Sequence, residues 1–63
     1  MTIKITLKAA RVNAGLTLKK AAEALGISTV TLTSYEHGRT SPRQSLRVKM
    51  SAVYGIPIEL LED

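Results

Sequence analysis

Cysteine, phenylalanine and tryptophan are absent from this 63-residue sequence, and its two aromatic residues are Tyr35 and Tyr54. Without cysteine the chain can form neither a disulfide framework nor a thiolate metal site, which fits a reducing compartment. Two aromatic side chains are too few for the base-stacking platforms that bind single-stranded nucleic acid. We therefore expect both tyrosines in the core or at helix boundaries.

Long apolar runs are also missing, and the start "MTIKIT" lacks the apolar region of a signal peptide. We therefore expect a cytoplasmic protein that is neither exported nor inserted into a membrane. A chain of 63 residues is near the lower size limit at which one hydrophobic core can stabilise a domain without disulfides or a structural metal. The prediction is a single domain over residues 1–63, with residues 1–5 as a candidate extended arm.

Positive charge is concentrated in one part of the chain. All nine lysines and arginines precede residue 50, where only Glu23 and Glu36 oppose them, so this part has a net charge of +7. The last fourteen residues contain three acidic side chains and no basic one. Such polarity favours a polyanion bound to one part of the surface. The alternative is that these cations only keep the surface soluble.

Glycines divide the chain into short segments with helical spacing. In "TLKKAAEAL" Thr17 can cap a helix that Gly26 ends, and in "TLKAARVNAG" Thr6 and Gly15 have the same roles. A third helix is predicted from Ser28 to His37. A fourth follows Pro42, with apolar residues at i, i+4, i+7 and i+8: Leu46, Met50, Val53 and Tyr54. With "IPIELL" as a last short turn, these segments predict an all-α bundle of five short helices.

The third predicted helix has two contrasting sides. Leu32, Tyr35 and Glu36 share the side that we expect to be buried, since so short a helix is unstable without tertiary packing. The opposite side consists of Val30, Thr33, Ser34 and His37. Hydroxyls and a valine make that side narrow enough for the DNA major groove, about 12 Å wide, where valine can meet a thymine methyl. Alternatively, Val30 is an ordinary exposed valine without a function.

Cations flank this helix in the sequence. Arg39 and Arg43 follow it, and Lys19 and Lys20 lie in the first turn of the helix before it. From these positions they are candidates for contacts to phosphates on either side of a groove. His37, the one histidine, has no second ligand of its kind, so we expect no metal site. It is a further phosphate candidate, the alternative being an exposed helix end.

The second and third helices are joined by "GIS", which is the spacing of a helix-turn-helix. The run "LKAARVNAGLTLKKAAEALGISTVTLTSYEHGRTSP", followed by "YGIPIELL", resembles the Cro and phage-repressor type of helix-turn-helix, the XRE family, over residues 7–61. The segments "GLT", "LGIS", "L-x-x-Y-E-x-G" and "G-x-x-x-P" carry the resemblance in this order and spacing. The resemblance implies a lambda-repressor-like bundle whose recognition helix docks in the major groove.

The resemblance also implies roles for particular residues. Base-reading positions of the recognition helix correspond here to Thr29, Val30, Thr33 and Ser34. Arg11 and Glu36 occupy the positions of an arginine and a glutamate that commonly pair, so we expect a structural ion pair; a DNA contact by Arg11 is the alternative. Ile58 and Leu60 are candidates for a homodimer interface, the alternative being closure of the core. A homodimer would read two half-sites about 34 Å apart on a near-palindromic operator.

The sequence departs from the family pattern at several positions. Leu18 replaces a glutamine that commonly meets phosphate, so Lys19 or Lys20 is expected to supply that contact. Arg47 replaces an apolar residue of the fourth helix, so either Leu46 and Val48 repack that side or the domain is less stable. The reading positions lack glutamine, asparagine and arginine, the residues that bind bases with two hydrogen bonds. Specificity is then modest or depends on DNA shape.

No pair of carboxylates or activated nucleophile is evident, so we expect neither an enzyme nor a cofactor or small-molecule ligand. The expected function is a phage-like, sequence-specific regulator of transcription, a repressor, that binds double-stranded DNA. The alternative is a protein-interaction module, such as an antitoxin or an anti-repressor, that acts mainly through protein contacts.

Overall fold

The computed structural model describes residues 3–62, and Met1, Thr2 and Asp63 lie outside it. The described chain forms four α-helices and one 3-10 turn, which confirms the predicted all-α class. The helices are α1 (Leu7–Asn13), α2 (Leu18–Leu25), α3 (Thr29–Glu36) and α4 (Gln44–Tyr54), and the 3-10 turn is Ile58–Leu60. The fifth predicted helix is therefore a single turn, because it follows Pro57 directly and the backbone is extended again at Leu61.

Hydroxyl caps confirm the predicted starts of α1, α2 and α3. Thr6, Thr17 and Ser28 each accept a hydrogen bond from the backbone N–H three residues later, at 3.0, 3.1 and 3.1 Å. Each cap satisfies one of the N–H groups that have no partner within the helix. At the end of α2, Gly26 has a φ of 73°, a left-handed conformation that glycine adopts without steric cost. The turn between α2 and α3 is therefore specified on both sides.

The core draws on every helix. Leu32 of α3, Met50 of α4 and Leu61 after the 3-10 turn are the largest fully buried side chains. Ala21 and Ala22 of α2 are also buried, and α2 packs against both α3 and α4. Burying one leucine or methionine side chain contributes about 1.5–3 kcal/mol. Both α1 and α2 pack against α3, so the side of α3 that carries Leu32 lies in the core.

The C-terminal segment is attached to the start of the chain and to α4. The Ile5 amide donates to the Leu60 carbonyl at 2.6 Å, and the Glu62 amide donates to the Ile5 carbonyl at 2.8 Å, a single parallel bridge. Arg47 of α4 donates to the Leu61 carbonyl at 3.1 Å and to the Glu62 carbonyl at 3.4 Å. These bonds close the bundle where Leu61 enters the core.

Arg47 therefore has a structural role that the sequence did not predict. Leu46 packs against the core, but Val48 is 55 % exposed and takes no part in repacking that side of α4. The guanidinium instead lies beside the C-terminal backbone, where it binds two carbonyl groups.

None of the helices between residues 3 and 62 is long and apolar enough to cross a bilayer; the longest, α4, has 11 residues.

Candidate nucleic-acid interface

The orientation of α3 follows from the contrast between its two sides. Leu32 is completely buried and Tyr35 packs against the core, as predicted. On the opposite side Val30 is 75 % exposed, although it lies only two residues from Leu32. The outward positions Thr29, Val30, Thr33 and Ser34 are here called the reading face. Thr29 and Val30 are exposed and Thr33 and Ser34 are partly buried, on a helix that the core holds in place.

The hydroxyls around the reading face are not all available to a ligand. Thr33 donates its hydroxyl proton to the Thr29 carbonyl at 2.8 Å, one turn earlier in the helix. Thr31 and the cap residue Ser28 share a hydrogen bond of 2.9 Å. Within residues 3–62 the hydroxyls of Thr29 and Ser34 form no hydrogen bond. Free donors therefore lie at the two ends of the reading face and not at its centre.

An ion pair between Arg11 and Glu36 connects the C-terminal end of α3 to α1. Arg11 Nε lies 2.7 Å from Glu36 Oε2, and Arg11 Nη2 lies 3.3 Å from Glu36 Oε1. The third guanidinium nitrogen donates to the Leu16 carbonyl at 2.9 Å. The two side chains are 9 % and 5 % exposed. Such charge-assisted, two-point pairing fixes both distance and orientation, so it sets how α3 projects from the bundle.

Tyr54 lies close to this ion pair. Its hydroxyl is buried and has no hydrogen-bond partner among residues 3–62. Burial raises the pKa of Tyr54 above 10.0, and the negative charge of Glu36 raises it further, whereas the positive charge of Arg11 opposes the shift. Both tyrosines are thus packing residues, as predicted, and Tyr54 carries a polar group into the interior.

The predicted phosphate contacts are all exposed side chains. They lie in the first turn of α2, at the end of α3 and in the α3–α4 turn: Lys19, Lys20, His37, Arg39 and Arg43. Within residues 3–62 none of them forms an ion pair with a carboxylate. Exposed cations without carboxylate partners are available to a polyanion.

Two residues, one at each end of α2, refine the prediction: Leu18 at its start and Lys49 of α4 near its end. Leu18, where the family has a phosphate-binding glutamine, packs against the core, so it is not available to phosphate. The sequence did not predict a role for Lys49 of α4. Its Nζ lies near Gly26 at the C-terminal end of α2, 4.0 Å from the position that a Cβ on this glycine would occupy. A cation is favoured there by the helix dipole. No local sequence signal indicates this contact, because it depends on the packing of α4.

The two dimer candidates are only partly covered. Ile58 and Leu60 are partly buried, and Leu60 packs against the core. Their neighbours Ile56 and Leu61 are buried and close the core. The segment thus supplies apolar groups to the interior and leaves part of its apolar surface exposed.

Comparison with known families gives one match: the helix-turn-helix family model of the Cro/C1 type matches residues 7–61. The matched range runs from the first residue of α1 to the residue after the 3-10 turn. No curated protein and no solved structure gives a significant match to the chain.

Proposed function

The chain belongs to the Cro/C1-type helix-turn-helix family, and we propose that within it the protein is a sequence-specific repressor of transcription that inserts α3 into the major groove of double-stranded DNA. The observation that carries the proposal is the 75 % exposure of Val30 on a helix whose other side carries the completely buried Leu32. A helix held by its buried side presents a fixed surface to a groove. Repression then requires only that the protein occupy the DNA.

Base discrimination is assigned to the reading face. Thr29, Val30, Thr33 and Ser34 have short side chains, so the helix backbone can approach the base edges closely. Hydroxyls donate to or accept from base edges, and apolar groups contact the thymine methyl. The ion pair of Arg11 and Glu36 supports this role indirectly, because it fixes the end of α3 relative to α1.

Affinity is assigned mainly to the exposed cations at the edges of the face. We assign the phosphate contacts to Lys19 and Lys20 in the first turn of α2 and to three residues at and after the end of α3: His37, Arg39 and Arg43. Contacts of this type release counterions, so binding weakens steeply as salt is added. They set the position of the protein on the duplex and carry no base information.

The proposal includes a homodimer formed through Ile58 and Leu60. Part of this apolar surface is uncovered in the single chain, and a second copy would bury it around a two-fold axis. Two recognition helices would then meet half-sites about 34 Å apart, one helical turn. The operator is therefore expected to be a near-palindrome. Because the DNA is the partner, we assign the protein to the cytoplasm.

The test is selection of bound duplexes from a random pool, run at two salt concentrations. Enrichment of a near-palindrome supports the dimeric regulator. A matched pair of variants separates α3 from the rest of the surface: Val30→Glu should abolish enrichment, whereas Val12→Glu adds the same charge at another exposed valine, on α1, and should not. Loss of enrichment with Val12→Glu alone would contradict the assigned face.

The competing function is a protein-interaction module, such as an antitoxin or an anti-repressor. Its support is the same partly exposed apolar segment around Ile58 and Leu60. If the pool shows no enrichment at either salt concentration and the protein isolates one tight protein partner, this function replaces the proposed one.

A further inference from the structure

The hydrogen-bonding capacity at the centre of the reading face is unusually one-sided. A threonine hydroxyl has one proton and two lone pairs, and Thr33 already gives its proton to the Thr29 carbonyl at 2.8 Å. Toward a ligand it therefore presents its methyl group and an acceptor. Val30, three residues earlier on the same face, presents only methyl groups and is 75 % exposed. The centre offers methyl groups and one acceptor, but no donor.

This combination matches some base edges and not others. In the major groove guanine presents two acceptors, N7 and O6, which need donors from the protein. Facing Val30 and Thr33, those acceptors would lose water and gain no partner, and an unsatisfied buried polar group is costly. The donors that remain, the hydroxyls of Thr29 and Ser34, lie at the ends of the face. Guanine is therefore disfavoured opposite its centre.

Resting on the proposed function, we propose that α3 recognises the 5-methyl group of a pyrimidine, seated against the methyl groups of Val30 and Thr33. The amino group of the same base pair, N6 of adenine or N4 of cytosine, donates to the free lone pair of the Thr33 hydroxyl. Thymine and 5-methylcytosine both carry this methyl group. The protein thus responds to cytosine 5-methylation, which converts a poor pair at this position into a better one.

The size of the effect follows from the burial of one methyl group. Removing a group of this size from water changes a binding constant roughly fourfold. The order of affinity at the central position is then thymine above uracil, and 5-methylcytosine above cytosine. Uracil differs from thymine only in lacking the methyl group, so the first comparison leaves every hydrogen bond of the duplex unchanged.

The experiment uses the duplex recovered by the random-pool selection. Each thymine is replaced singly by uracil, and each cytosine of the half-site by 5-methylcytosine, and binding is measured for the wild type, for Val30→Ala and for Val12→Ala. In the wild type and in Val12→Ala, uracil at one central position should weaken binding roughly fourfold. In Val30→Ala that difference should fall to less than twofold.

Two results overturn the inference while leaving the proposed function intact. One is specific binding in which uracil equals thymine at every position of the half-site. The other is a selected half-site with a G·C pair, in either orientation, at the position that Val30→Ala affects most. If the wild-type protein prefers no duplex over random DNA, the proposed function itself fails.

Discussion

Arg11 and Glu36 connect the first helix to the end of the helix that bears the reading face, with Arg11 Nε 2.7 Å from Glu36 Oε2. Both side chains are less than a tenth exposed, so each charge depends on the other for the solvation that water would otherwise supply. The pair therefore fixes the direction of α3. If one partner is lost, the other charge stays buried without a counterion, and the folded state is strongly destabilised.

Replacing one partner should be far worse than replacing both. Arg11→Met leaves the Glu36 carboxylate buried without a cation, and should lower the free energy of unfolding by about 3–5 kcal/mol. The double variant Arg11→Met, Glu36→Leu should recover most of that loss. Urea denaturation followed by circular dichroism measures both.

Glu36→Gln provides a milder variant if Arg11→Met does not fold, because the amide oxygen can still accept one hydrogen bond. A double variant no more stable than Arg11→Met alone would show that the pair contributes more than mutual compensation of two buried charges.

Removing the buried hydroxyl of Tyr54 should stabilise the folded protein. Since it has no partner among residues 3–62, Tyr54→Phe should raise the free energy of unfolding by about 1 kcal/mol at neutral pH. The raised pKa of Tyr54 means that the unfolded chain loses its proton first. The contribution of Tyr54 to the free energy of unfolding is therefore constant below pH 10 and declines as the pH rises above 10. The advantage of Tyr54→Phe should therefore widen above pH 10 in denaturation curves.

Arg47→Met should loosen the C-terminal segment. The substitution removes donors to the Leu61 and Glu62 carbonyls while retaining an apolar side chain, and should cost about 1–2 kcal/mol. Hydrogen exchange should show faster exchange at the Ile5 and Glu62 amides. Lys49→Met, on the same helix, serves as the matched control, and equal exchange in both variants would remove the structural role from Arg47.

Arg39→Ala and Arg43→Ala should weaken binding to all duplexes alike. Each should make the slope of log K against log salt shallower by roughly 1, the effect of one lost phosphate contact. Lys8→Ala removes the same charge from the exposed surface of α1 and should leave the slope unchanged. A slope that responds equally to all three would indicate a general effect of net charge and no local contact.

The sequence predicts those features that depend on local chemistry. Thr6, Thr17 and Ser28 have the hydroxyl that a helix start requires, and Gly26 has the freedom that a helix end requires, so the starts of α1, α2 and α3 and the ends of α2 and α3 were predicted to within one residue. The buried side of α3 was predicted because Leu32 and Tyr35 lie three residues apart. These signals are contained within a few consecutive residues.

Contacts between distant segments gave no comparable signal. Arg47 binds backbone carbonyls fourteen and fifteen residues away. Every residue has a backbone carbonyl, so the sequence does not indicate which one an arginine will bind. The pairing of Arg11 with Glu36, twenty-five residues apart, was predicted from family resemblance and not from periodicity.

The bond from Thr33 to the Thr29 carbonyl is, in contrast, a local contact within α3. It was predictable, because threonine within a helix commonly binds the carbonyl four residues earlier.

The most direct test of the reading face is a methyl NMR titration with the selected duplex, because three exposed valines lie on three different helices. Val30 of α3, Val12 of α1 and Val48 of α4 are 75 %, 58 % and 55 % exposed. If α3 enters the groove, the Val30 methyl resonances should shift and broaden most. Val30 resonances that stay unchanged at saturation, while those of Val12 or Val48 move, would contradict the proposed binding mode.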